Sequence, residues 1–175
     1  MRRETQMMPQ HDIIGFLKRA REFWIVTTVN GAAFFSDQRA IVECAETEAH
    51  SGLSGPEAKQ WASAITRLMA SVPDGYAPAI AGCLCGEFGN DYVRLYSSAG
   101  TFTYLNEVYV RAVGDAIPWM HLTDSGQAVY FVRDGRVVAS IMPVKGLGGR
   151  DLSEEPEVPF LEDAVLYHEC RKGEE

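Results

Sequence analysis

Two cysteines one residue apart, Cys83-Leu84-Cys85, are the first residues of the chain whose types and spacing suit chemistry. In an extended segment their side chains share a face, because strand side chains alternate with period two. A zinc site needs two further donors, and Cys44, Cys170 or His168 would have to be brought there by the fold. No C-x-x-C pair with a matching partner is present, so buried strand thiols are the simpler expectation. The four histidines, His11, His50, His121 and His168, are isolated in sequence. Ser125 or Cys85 would be the nucleophile of a hydrolase, yet no G-x-S-x-G elbow occurs and nothing sets a base beside either. Gly146-Leu147-Gly148-Gly149-Arg150 is rich enough in glycine to cradle a phosphate. It lacks the Lys-Ser/Thr ending of a Walker loop and no clear helix start follows, so it reads as a flexible hinge. The expectation is a protein without catalytic residues, metal or cofactor.

Charge is the remaining lead. Lys18, Arg19 and Arg21, with Arg2 and Arg3, outweigh Glu4, Asp12 and Glu22 at the start of the chain. From Asp151 onward nine acids face only Arg171 and Lys172, and the whole chain carries a net charge of -8. A basic face can coexist with such a total, so nucleic acid is not excluded as a partner. A solvated helix face and a solubilising tail are the plainer readings of the two clusters.

With 175 residues, 46% hydrophobic and 23% charged, the chain can bury one core. The expected organisation is a single domain over 1–150 and an acidic tail over 151–175. No apolar run approaches the roughly 20 residues that cross a bilayer, and no apolar signal core follows the basic start. Four cysteines are too few for a disulfide scaffold, so the expectation is a cytoplasmic protein with no membrane partner.

The elements that must position these residues follow from periodicity. Ile13, Ile14, Phe16, Leu17 and Ala20 recur at helical spacing between His11 and Glu22. Phe23 to Val29 is β-branched and aromatic, Asn30-Gly31 is the favoured hairpin pair, and Ala32 to Ser36 reads as the returning strand. Asp37-Gln38-Arg39 then turns the chain into a third strand, Ala40 to Cys44. An inserted loop and helix occupy 46–75, with Pro56 near the helix start and Trp61, Ala64, Ile65, Leu68 and Met69 on one face. Tyr92 to Tyr96 and Thr101 to Leu105 read as paired strands. Asn106 caps a second amphipathic helix lined by Val108, Tyr109, Ala112, Val113 and Ile117, which Pro118 ends. Strands at Trp119 to Leu122, Ala128 to Val132 and Val137 to Met142 complete the body.

The order α-β-β-β therefore occurs twice. Trp24, Thr28, Gly31, Ala33 and Phe35 reappear 95 positions later as Trp119, Thr123, Gly126, Ala128 and Tyr130. Asp37 and Arg39 match Asp134 and Arg136. Two such units joined edge to edge, with both helices on one face, bury their apolar sides and an open edge together. The expected fold is an α+β domain of two pseudo-symmetric α-β-β-β units with an antiparallel sheet.

At this level the chain resembles a single domain of the bacterial DNA polymerase sliding clamp family, over roughly 11–145. The likeness lies in the doubled unit and in three segments: Tyr104-Leu105-Asn106-Glu107-Val108-Tyr109-Val110-Arg111-Ala112-Val113, Ala128-Val129-Tyr130-Phe131, and Ala139-Ser140-Ile141-Met142-Pro143-Val144. Phe34-Phe35-Ser36-Asp37-Gln38-Arg39 is similar to the Thr-Asp-Gly-His-Arg stretch of those clamps. The resemblance implies a non-enzymatic DNA-replication accessory protein. Its helices would present Lys18, Arg19, Arg21 and Arg111 to duplex DNA without reading sequence. Met142, Pro143 and Val144 would wall a groove for peptides of replication or repair proteins. A clamp subunit carries three such domains, so a closed ring of this chain would be a homo-oligomer of about six copies. The alternative on the same fold is a protein-binding or inhibitory module that does not bind DNA.

Overall fold

The computed structural model describes residues 10–21, 24–45, 55–87, 90–145 and 148–150. The basic start, most of the loop after Cys44, His50, and the acidic tail with His168 and Cys170 lie outside the described residues.

Each apolar stripe becomes an element with one buried side. Helix α1 (Gln10–Ala20) buries Ile13, Ile14 and Leu17 and leaves Phe16 and Arg19 exposed. Strands β1 (Ile25–Val29) and β2 (Ala32–Ser36) meet through Asn30 and Gly31, whose φ angles of 51° and 82° make the tight turn that this pair favours. Strand β3 (Ala40–Cys44) returns alongside β2. Side-chain alternation sends the adjacent Phe35 and Phe34 to opposite faces. Phe35 enters the main core with α1, whereas Phe34 and Ile41 pack with Ile65 of α2 (Gly55–Met69). The inserted helix thus covers the face of the sheet that α1 leaves open.

Downstream come β4 (Tyr76–Pro78), β5 (Ala81–Glu87), β6 (Asn90–Tyr96), β7 (Thr101–Asn106) and α3 (Glu107–Val113), then β8 (Ile117–His121), β9 (Val129–Arg133), β10 (Arg136–Ile141) and β11 (Gly149–Arg150). The result is an α+β fold with antiparallel pairing throughout. One sheet has seven strands in the order β1-β2-β3-β10-β9-β8-β4, and a second has four in the order β11-β7-β6-β5. The two meanders join where β3 pairs with β10, Val42 opposite Ala139. Arg136 adds a charge-assisted bond to Glu43 across the same pair of strands.

Helix α3 lies in the angle between the sheets. Its Tyr109, Val110, Ala112 and Val113 share one core with Ile14 and Leu17 of α1, Phe35, Val42 and Phe131 of the larger sheet, and Val93, Leu95 and Leu105 of the smaller. Gln10 at the head of α1 donates to the carbonyls of Glu43 (2.9 Å) and Ala112 (2.7 Å). The buried hydroxyls of β7 hold the connection after β8: Thr101 donates to the Leu122 carbonyl at 2.6 Å and Thr103 to that of Ser125 at 3.0 Å. Every such bond satisfies a group that would be costly to bury alone.

Several expectations are corrected. The second expected helix stops at Gly114, whose φ of 77° suits a glycine C-cap, so Ile117 and Pro118 lie in β8 and not on or after a helical face. Strand β4 was not expected, and for β5 only Cys83-Leu84-Cys85 was read as extended. One is three residues ending in Pro78 at a sheet edge, and the other is diluted by Gly82 and Gly86. The residue matches at a spacing of 95 fail in part. Gly126 and Ala128 fall in the connection between β8 and β9, where no two-residue hairpin forms. In strand pairing it is Val26, opposite Phe35, that holds the place of Trp119, opposite Tyr130. Gly148 and Gly149 are not a free hinge either. A Cβ on Gly148 would lie 3.0 Å from Ser125 Cβ, and one on Gly149 would lie 3.2 Å from the Phe102 ring, so glycine is what lets β11 close on β7.

The turn between β2 and β3 contains Asp37, only 4% exposed. Its Oδ1 accepts the backbone N–H groups of Arg39 (3.0 Å) and Ala40 (3.1 Å), and its Oδ2 accepts Arg21 Nε (3.2 Å) and the Tyr109 hydroxyl (2.5 Å). Removing the carboxylate takes the acceptor from the Arg39 and Ala40 N–H groups and from the Tyr109 hydroxyl, and leaves Arg21 Nε only that hydroxyl. Asp37→Ala is expected to lower the unfolding free energy by about 3–5 kcal/mol, and Tyr109→Phe by about 1–3 kcal/mol. Urea titration followed by circular dichroism checks both, and equal, negligible shifts would refute the role given to Asp37.

Candidate functional site

Where β10 ends, the chain must cross from the larger sheet to the smaller. The Met142 N–H donates to the Arg39 carbonyl and the Val144 N–H to the Tyr104 carbonyl, both at 2.8 Å. Pro143, which has no N–H to satisfy, sits between these two anchors. The crossing walls a cleft of about 410 Å³ lined by Arg39, Tyr92, Asn106, Tyr109 and residues 142–145. Met142 is 50% exposed at its lip.

Each lining group is held by a different element. Tyr92 stands on β6 against Tyr104, ring centroids 6.3 Å apart. Asn106 is the N-cap of α3, its Oδ1 accepting the Val108 N–H at 3.1 Å. Tyr109 reaches back from α3 to Asp37. Arg39 and Lys145 are exposed, and among the described residues neither forms an ion pair. The cleft therefore has a mixed wall, in which Met142, Pro143, Val144 and the tyrosine rings stand beside Asn106, with cations at its edge. Its chemistry suits a short segment with apolar side chains and a nearby carboxylate.

Met142, Pro143 and Val144 of the sequence analysis are brought together here. Arg39, Asn106 and Lys145 were missed as companions, and only adjacency to the turn and to Pro143 pointed towards the first and last. The four cations assigned to DNA have separate surroundings. Arg19 is exposed on α1, and Lys18 is half-buried with its Nζ 4.7 Å above the Trp24 ring. Arg21 follows the helix and is bonded to Asp37 and to the Tyr109 hydroxyl (3.1 Å). Arg111 is bonded to Glu107 at 3.0 Å one turn earlier on α3.

Among the described residues no group of three or more His, Cys, Asp or Glu is placed to hold a metal ion. The register sets Cys83 opposite Arg94 and Cys85 opposite Tyr92 on the edge strand β5. His121 is engaged with its own loop, its Nδ1 accepting the N–H groups of Thr123 (3.2 Å) and Asp124 (3.1 Å). No helix of the described residues is long and apolar enough to cross a membrane. No family model, curated protein or solved structure matches the chain.

Burial, and then the bond to Asp37, pushes the Tyr109 hydroxyl well above its ordinary value, with Arg21 acting against the shift. Burial, with Tyr130 and Asp124 nearby, pushes Tyr76 up to about 12. A folded pKa above the unfolded value of roughly 10 means that the stabilising effect is complete below that pH and is lost above it. Stability is therefore expected to fall as pH rises beyond about 10, and Tyr109→Phe should make that fall shallower. Ultraviolet difference absorbance should show Tyr76 ionising near pH 12. Ionisation of all tyrosines in one unshifted step, with the protein still folded, would contradict this account.

Proposed function

We propose that the chain is a non-enzymatic, clamp-like accessory protein of DNA replication whose cleft at Met142, Pro143 and Val144 docks a short apolar and acidic segment of a partner protein. The observation that carries this reading is the cleft itself. The segment 142–144, to which the clamp resemblance gives a groove-walling role, lines a cavity between two sheets with Arg39 and Lys145 at its edge.

The doubled architecture of the clamp family is supported by the strand order, in which β1-β2-β3 and β10-β9-β8 are two meanders meeting in reverse sense at β3 and β10. The sequence spacing that relates Asp37 to Asp134 also relates Val42 to Ala139, and these two residues face each other across the junction. A local two-fold axis through that pair accounts for the arrangement, with α1 and α3 as the related helices on one face. Helix α2, on the opposite face, is an addition to such a unit.

Duplex DNA is the weaker part of the proposal. Arg19 is the exposed cation of α1, while Arg21 and Arg111 are bonded to carboxylates. Their commitment favours, as a second reading, a protein-binding or inhibitory module on the same fold that does not contact DNA.

Short random peptides selected on the immobilised full chain test the main reading. The expected binders are apolar with an acidic residue, and Met142→Glu should raise their Kd by roughly tenfold or more, equivalent to about 1.4 kcal/mol. Binding that ignores both Met142→Glu and Lys145→Glu would sink the docking role. Anisotropy of labelled duplex DNA decides between the two readings. Weak binding that steepens at low salt and disappears in Lys18→Glu plus Arg19→Glu supports a clamp-like contact, and no binding at low salt supports the module.

A further inference from the structure

The connection between β8 and β9 is bonded to both sheets. From the smaller sheet, Thr101 donates its hydroxyl to the Leu122 carbonyl at 2.6 Å and Thr103 to that of Ser125 at 3.0 Å. From the larger sheet the holder is His121, the last residue of β8. Its Nδ1 accepts the N–H groups of Thr123 (3.2 Å) and Asp124 (3.1 Å), so the ring itself closes the turn. Two donors aimed at one ring nitrogen require its lone pair. A neutral imidazole meets that requirement only with its proton on Nε2. The ring is firmly seated: Tyr76 of β4 meets it edge-on with centroids 5.3 Å apart, and a Cβ on Gly75 would lie 3.0 Å from Nε2.

We propose that His121 is a pH-sensitive latch: protonation at Nδ1 turns the acceptor of the Thr123 and Asp124 N–H groups into a third donor and releases the turn 123–127 from the larger sheet. The step adds one solvent proton to the Nδ1 lone pair and breaks two hydrogen bonds, with no covalent bond broken. Histidine is the side chain whose charge ordinarily changes between about pH 5 and 8, which sets the range in which such a device works. The groups around the ring offer no ready substitute. Tyr76, pushed up to about 12, stays neutral throughout that range. Tyr130, its ring 5.2 Å behind that of Tyr76, is likewise pushed up by burial. Asp74 lies in the exposed turn ahead of β4. Asp124 is the carboxylate whose charge His121 reaches, yet its Oδ1 accepts the Gly126 N–H and its Oδ2 accepts Gln127 Nε2, both at 2.9 Å. An imidazolium turning to that carboxylate competes with the bonds that shape the rest of the turn. Thr101 and Thr103 do not titrate, so the smaller sheet keeps its hold while the larger lets go. The change reaches β11 through Ser125, against which Gly148 packs closely enough to exclude a Cβ. The device is independent of what the cleft binds.

Nuclear magnetic resonance of the full chain, titrated from about pH 8 to about pH 5, tests the proposal. At the upper end the ring nitrogen shifts of His121 should report the Nε2–H tautomer. As the ring takes up its proton, hydrogen exchange at the Thr123 and Asp124 amides, corrected for the intrinsic effect of pH, is expected to accelerate roughly tenfold or more, with the midpoint of the ring itself. The Met142 and Val144 amides, which join the sheets elsewhere, should keep their protection and report an intact fold. His121→Asn sets a carbonyl oxygen near the place of Nδ1 that takes no proton in this range, and the acceleration should vanish in it. Protection of Thr123 and Asp124 that persists after His121 is protonated would overturn the proposal. So would a ring that stays neutral until Met142 and Val144 lose protection, or an acceleration that survives in His121→Asn.

Discussion

A carboxylate buried in the turn between two strands organises this molecule. Four donors converge on Asp37 inside the protein: two backbone N–H groups of its own turn, the Arg21 guanidinium and the Tyr109 hydroxyl. A buried charge with fewer partners would destabilise the fold. With them it joins the end of α1, the β2–β3 turn and α3 at one point. The orientation of both helices on the larger sheet, and with it the floor of the cleft, depends on this convergence.

The second organising constraint is the way two sheets of different size share one core. Helix α3 fills the angle between them, and the crossing at 142–145 closes the angle from outside through one hydrogen bond to each sheet. A cleft at such a crossing is a packing consequence. A segment that must leave one sheet and reach another cannot also fill the space behind it. A mixed wall carrying Met142, Pro143 and Val144, and a cationic edge, are the chemical properties left at the surface there, and they underlie the docking role proposed for it.

The placement of cations shows why a charge pattern is an incomplete guide to partners. Arg21, Arg111, Arg133 and Arg136 are paired with Asp37, Glu107, Asp115 and Glu43. Three of those pairs link separate elements, where a count of basic residues near the chain start suggests only a surface. Arg19 and Lys18 keep their helix-face positions, Lys18 partly over Trp24. Of the four pairs, Arg21–Asp37 alone has a fully buried carboxylate, while Arg133–Asp115 and Arg136–Glu43 lie at the surface.

Local neighbours are what the amino-acid sequence specified by itself. The stripes of α1 and α2, the Asn30-Gly31 turn, the Asn106 cap, the α+β class and the repeated α-β-β-β order all depend on residues within a few positions of one another, whose spacing is directly visible. Tertiary structure alone decided the remainder. It placed α2 on the far face, recruited the weak strands β4 and β5, ended α3 at Gly114, and set Val26 rather than Trp24 opposite Phe35. It also chose the partners of the charged groups, Tyr109 meeting Asp37 across 72 positions and Arg136 meeting Glu43 across 93. Such pairings depend on how elements pack after they form, and no periodicity along the chain records which distant side chains the core will bring to the same point.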